Sequence, residues 1–222
     1  LVRAYSNLMA LLEDVILKKE IYDEDFNRRG IFRLTANKNM NKLLDRYKDN
    51  DIYHKSQIRI PKENFRSFLC EIFDKELRDI ITNKTGFNYS IDFVCIYKKE
   101  HKKVANVAHY DKSFSKNMFK IFIPLECDRK SGPLKAFDKL SSRLIERGAS
   151  INTLENTLFQ GNGEFIYGLS PNVCYHQDGN PEKDFSSINL MFQLNPSARW
   201  VYRDDLVERQ LRRLEPKFSS FT

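Results

Sequence analysis

No apolar run in the 222-residue chain approaches the roughly 18 to 20 residues that a membrane-crossing helix needs. The first segment, LVRAYSNLMALLEDVILKKE, is interrupted by Glu13 and Asp14, unlike a secretory leader, so a cytoplasmic protein without a transmembrane segment is expected. Cysteine is sparse. Cys70, Cys95, Cys127 and Cys174 stand far apart with no CxxC pair, which argues against both a zinc cluster and a disulfide framework. Three of them sit in or beside apolar runs and read as buried thiols. Internal repeats, low-complexity tracts and linkers are also missing, so a single domain is expected. A contiguous basic and aromatic patch is absent, and with it the main sign of a nucleic-acid partner. Lys and Arg nevertheless outnumber Asp and Glu by 37 to 30, a net charge of +7 spread along the whole length. Most of that excess is expected to be solvated surface, but such a surface favours anionic partners: nucleic acid, acidic glycans, phosphorylated metabolites or membrane surfaces, with a small-molecule or glycan substrate expected here.

What is present falls into two parts. From Val2 to about Ile21, Leu8, Leu11, Leu12, Val15 and Ile16 recur at helical spacing. A polar turn containing Arg28, Arg29 and Gly30 leads to IFRL, a short strand. Thr35 is expected to cap a second helix running to Tyr47, with Met40, Leu43 and Leu44 on its inner face. Pro61 opens a third helical pattern carrying Phe65, Phe68, Leu69, Ile72, Phe73, Leu77, Ile80 and Ile81, which Gly86 ends.

Beyond this point the residues become β-branched and aromatic. Strands are expected at Ser90 to Tyr97, Val104 to Ala108, Met118 to Leu125, LKAF after Gly132-Pro133, Glu164 to Leu169, the segment before His176, and Ser186 to Leu194. A short helix is expected around Lys139 to Arg147, and a charged one from Asp204 to Leu214 with Leu206, Val207, Leu211 and Leu214 inward. The expected architecture is mainly β with flanking helices. Residues 1–88 form a helical layer outside a β barrel or sandwich of residues 89–196, and residues 197–222 form a helix and tail.

Only four histidines occur: His54, His101, His109 and His176. His109 lies in the triplet His109-Tyr110-Asp111. In an extended strand, residues i and i+2 leave on one face, so an imidazole and a carboxylate project together. His176 follows a strand-like run in GEFIYGLSPNVCYHQDGNP and is the candidate third ligand. Two histidines and one carboxylate on one side of a metal leave the opposite positions open, the facial arrangement of non-haem Fe(II) oxygenases. His54, in a polar loop, and His101, within KKEHKK, read as solvated.

The order HYD, FKIFIPLE, SGPL, a glycine-containing strand and then HQDGNP resembles the phytanoyl-CoA dioxygenase-like branch of the Fe(II)/2-oxoglutarate-dependent oxygenases, over roughly Ser90 to Pro196. The resemblance implies a double-stranded β-helix, a jelly-roll or cupin-like barrel, with Fe(II) held by His109, Asp111 and His176 and with 2-oxoglutarate as cosubstrate. It implies hydroxylation coupled to oxidation of 2-oxoglutarate to succinate and carbon dioxide, on a polar metabolite, glycan or lipid-linked sugar.

One departure stands out. The family places a basic residue on the strand after the second histidine to pair the far carboxylate of 2-oxoglutarate, whereas DFSSINLMFQLNPS carries none. Ser187 stands near where that cation belongs. Either Lys120 supplies the charge from the strand after Asp111, with Tyr97, Ser187 and Asn189 adding neutral hydrogen bonds, or the domain is a non-catalytic cupin-like module that has lost 2-oxoglutarate. Ser187, Asn189, Met191 and Gln193 share one face of their strand, directed either into a wet site or out to solvent. Asn106 and Gln177 are candidates for holding the imidazoles, and Arg199, Trp200 and Arg203 for gripping substrate or for packing the chain's end.

Overall fold

Alternation of side chains along three strands organises the molecule. The computed structural model describes residues 2–19, 23–47, 53–54, 57–58, 62–101, 107–111 and 115–202. In chain order the elements are α1 (Val2–Ile16), α2 (Glu24–Arg29), β1 (Ile31–Thr35), α3 (Met40–Asp45), β2 (Tyr53–His54), β3 (Gln57–Ile58), α4 (Lys62–Ile72), α5 (Lys75–Thr85), β4 (Asn88–Glu100), β5 (Phe119–Glu126), β6 (Leu134–Ala136), α6 (Lys139–Glu146), β7 (Thr157–Phe159), β8 (Phe165–Leu169), β9 (His176–Gln177), β10 (Ser186–Ser197) and β11 (Val201–Tyr202).

The large sheet runs β1-β8-β5-β10-β4-β3-β2, with β11 also on β4. Its spine is β10, antiparallel to β4 from Ser186↔Glu100 to Ser197↔Asn88, and antiparallel to β5 on its other edge. A small sheet, β7-β6-β9, lies against it. On β5, Phe119, Ile121 and Ile123 face one way, into a core shared with Leu190, Phe192 and Leu194 of β10 and with Phe68, Leu69, Ile72 and Phe73 of α4 and its end. Phe122 faces the other way, joining Leu134, Ala136, Phe159, Tyr167 and Leu169 between the two sheets. β5 therefore buries both of its faces, one under helices and one inside the sandwich.

Several elements differ from the sequence expectations. Thr35 ends β1 opposite Phe165, because β1 is needed along its full length to pair with β8; Asn39 caps α3 instead, accepting from Lys42 N at 3.0 Å. The long pattern beginning at Pro61 divides into α4 and α5. Asp74 breaks it, taking an extended conformation and accepting from Leu77 N at 3.0 Å, which starts a new helix. Pro133-Leu134 leads into the small sheet and not the large one. Val107 and Ala108 form no strand, and residues 104–106, with Asn106, lie outside the described residues. So do Pro61, Arg203 and the charged segment Asp204 to Leu214. The apolar stripe of α1 does not pack inward: Leu8, Leu11, Leu12, Val15 and Ile16 are all exposed. Two cysteines, Cys127 and Cys174, are buried, Cys70 is exposed, and all four are free.

Candidate metal centre

His109 and His176, 67 residues apart, meet through their backbones before their side chains meet. His109 N–H donates to His176 O and His176 N–H donates to His109 O, both at 3.0 Å, an isolated antiparallel bridge added to the edge of β9. Asp111 is fixed by its own N–H, which donates to Pro171 O at 2.9 Å. The rings of Tyr110 and Tyr175, one residue along each chain segment, sit 4.1 Å apart and brace the same junction.

Each imidazole commits Nδ1 to a backbone carbonyl two residues back, His109 to Val107 O at 2.9 Å and His176 to Cys174 O at 3.2 Å. A carbonyl only accepts, so Nδ1 carries the proton in both rings, and a neutral ring then presents a bare Nε2. Both Nε2 atoms point at Asp111 Oδ1, at 3.7 Å from His109 and 3.4 Å from His176. One ligand atom from each of the three residues lies within 4.8 Å of the others. Three acceptors facing one another repel unless positive charge stands among them, either an imidazole proton or a metal cation. The site sits at the rim of the sandwich, with the His176 side chain 5% exposed and that of His109 52%.

Lys120, near the start of β5, reaches this same cluster, its Nζ pairing with Asp111 Oδ2. Burial alone would push the Asp111 carboxyl up, but the Lys120 ammonium and His176, in the form whose Nε2 carries a proton and donates to Asp111, outweigh it and hold the carboxyl down at about 2. The carboxylate is thus ionised and available throughout the neutral range.

The other candidate residues lie deeper. Ser187 and Asn189 are buried on β10, facing the inside of the sandwich, and Asn189 Nδ2 donates to Ser187 Oγ at 3.1 Å. Tyr97 stands opposite Asn189 in the β4–β10 ladder. Burial pushes its phenol well above the usual value. Tyr97, Ser187 and Asn189 are therefore brought together, while Lys120 is drawn to Asp111.

A cation that the sequence reading passed over stands beside them. Lys99 pairs with Ser187 across β4 and β10, its side chain is 10% exposed, and its Nζ reaches Gly132 O at 2.8 Å and Asp178 Oδ1 at 3.3 Å. The signal was parity: Lys99 follows Tyr97 by two residues, and β4 continues to Glu100 rather than stopping at Tyr97.

The remaining candidates do not converge. His101 Nδ1 contacts Pro181 O at 2.7 Å, away from the triad. Trp200 packs on Phe73 and Tyr89 and donates to Thr82 Oγ1 at 3.1 Å, a packing role, and Arg199 is exposed. The buried thiols are inert near neutrality, Cys127 pushed up to about 11 and Cys174 to about 12 by burial.

No family model and no curated protein matches the chain. Solved structures do. EctD from S. alaskensis with bound Fe is 14% identical over 88% of this chain and 88% of its own, with a TM-score of 0.57. The non-heme alpha-ketoglutarate-dependent epimerase SnoN from nogalamycin biosynthesis is 9% identical over 77% and 79%, with a TM-score of 0.55. The non-heme monooxygenase ThoJ, as its Ni complex, is 13% identical over 78% and 76%, with a TM-score of 0.52. The fold is accordingly the double-stranded β-helix of the 2-oxoglutarate oxygenases, as the order of motifs implied. Among the described residues no helix is long and apolar enough to cross a membrane.

Proposed function

We propose that this chain is an Fe(II)/2-oxoglutarate-dependent dioxygenase, a hydroxylase in which His109, Asp111 and His176 hold the iron. The observation that carries this reading is the convergence of two bare Nε2 atoms and one carboxylate oxygen on a single point, each imidazole oriented by its own carbonyl. The fold supports it, since EctD, with the same architecture, has been solved with Fe and with 2-oxoglutarate and 5-hydroxyectoine. When bound, iron and 2-oxoglutarate supply the oxidising chemistry. The chain's own residues hold the metal on one side and leave the other open, with Lys120 keeping Asp111 ionised. Tyr97, Ser187 and Asn189, neighbours on β4 and β10, would offer hydrogen bonds to the cosubstrate. The substrate is a polar metabolite, glycan or lipid-linked sugar, and the net charge of +7 favours an anionic one.

The competing reading, a metal-binding module without cosubstrate, draws on the lack of any basic residue in β10. Anaerobic addition of Fe(II) and 2-oxoglutarate separates the two. The proposal expects the weak visible charge-transfer band of the chelate, lost in His109→Ala and Asp111→Ala. Iron uptake without that band would establish the module instead.

A further inference from the structure

The strand that lacks the expected arginine has a cation directly across from it. We infer that Lys99, on β4, is the counter-ion for the far carboxylate of the 2-oxo acid, replacing a basic residue at Ser187 on β10; this rests on the dioxygenase reading above. Ser187 and Lys99 are partners in the ladder, so a charge moved from one to the other crosses a single strand spacing and stays on the inner face.

Ser187 is fully buried and too short to reach a ligand's far end by itself. Lys120 is paired with Asp111, a member of the triad, whereas the carboxylate beside Lys99 belongs to Asp178, outside it.

The surroundings of Lys99 are built rather than incidental. Gly132 has φ +67, and a Cβ there would lie 2.5 Å from the backbone at Asn180 and Pro181; a Cβ on Gly179 would lie 2.4 Å from Pro133 O. The two glycines let the SGPL turn and the HQDGNP segment touch, and that crossing presents Gly132 O and Asp178 to the ammonium. An ammonium has three donors, and these two partners take two of them. Asp178 is 34% exposed, so water screens its charge, while the Lys99 side chain, 10% exposed, lies deeper.

The same end of the barrel also carries Tyr97, whose phenol stands next in register on the Lys99 face of β4.

The test compares 2-oxoglutarate with 2-oxopentanoate, which has a methyl group in place of the far carboxylate. Affinity of each for the Fe(II)-loaded protein is read by anaerobic calorimetry, which requires no turnover. A charge-assisted hydrogen bond to a buried carboxylate corresponds to roughly a 10- to 100-fold preference for 2-oxoglutarate in the unmutated protein. Lys99→Met should reduce that preference to within about threefold while iron uptake persists, Lys99→Arg should keep most of it, and Lys120→Met should leave it intact. Ser187→Asp, which offers Lys99 an internal carboxylate, should erase the preference without removing the lysine. The inference is overturned if Lys99→Met or Ser187→Asp retains full preference, or if Lys120→Met abolishes it. Equal affinity for both acids in the unmutated protein overturns it while leaving the dioxygenase reading standing. Uptake of iron but of neither acid overturns both.

Discussion

At the scale of single residues, the pairing of Lys120 with Asp111 has a measurable consequence. The ammonium helps hold the carboxyl at about 2 against burial. Lys120→Met should therefore raise the Asp111 midpoint in the metal-free protein by about 1 unit or more, followed by carbon-detected NMR of the side chain during acid titration. An unmoved midpoint would mean that His176 alone sets the ionisation. The sign for stability follows from the direction: Asp111 contributes above its unfolded value near 4, and the contribution disappears as pH falls toward 2. His109 and Asp111 were legible because spacing of two on an extended segment needs no tertiary knowledge. His176 was legible from scarcity, as there were few histidines to choose among. The partner of Lys120 was not, since sequence shows that an inward cation needs an anion but not which one. Lys99 escaped because its lysine-rich neighbours disguised the end of β4 as a loop.

At the scale of elements, the contact between the SGPL turn and the segment after His176 is the most demanding. Gly132→Ala would meet both an unfavourable left-handed conformation and backbone atoms at 2.5 Å. Gly148, with φ +96 and nothing within 4 Å of an added Cβ, meets only the first. Gly132→Ala should thus destabilise by about 2 kcal/mol or more beyond Gly148→Ala in urea unfolding. Equal losses would show that the crossing yields.

Helix α1 offers a contrasting case. Its Glu13 accepts from Ser115 Oγ at 2.5 Å and Asn117 Nδ2 at 3.2 Å, and burial, opposed by those bonds, raises its carboxyl above the usual value. A raised carboxyl favours the protonated folded state, so its contribution is largest in acid and falls as pH climbs through the folded value. Glu13→Gln keeps an accepting oxygen without the charge and should lift Tm by about 1 to 3 °C at neutral pH, the gain vanishing below about pH 4. The longer helices and strands were legible from periodicity, whereas their limits were not, and α2 was read as a polar turn while the strand expected through Val107 and Ala108 does not form. Thr35 and Asn39 are both good caps, and only the need to pair β1 with β8 decides between them.

At the scale of the whole molecule, the helical stripe that suggested packing is not used for it. Val15 is 77% exposed and Ile16 is similar, so Val15→Lys with Ile16→Glu should change unfolding free energy by less than about 0.5 kcal/mol. A loss of several kcal/mol would place α1 within the core. Period alone identifies a helix with one apolar side, and only the finished structure tells whether anything covers that side. The face of β10 shows the same limit from the other direction. Ser187 and Asn189 suited either water or a wet interior, and the second sheet, closing over them, decides for the interior.

The reciprocal backbone bridge between His109 and His176 ties together two segments at the rim of the barrel. Because each residue donates to the other, neither amide can open alone. Corrected for intrinsic chemical rates, their hydrogen–deuterium exchange should give one opening free energy, and iron held as proposed above should raise it equally for both. A probe at either position would then report on the other across 67 residues of sequence.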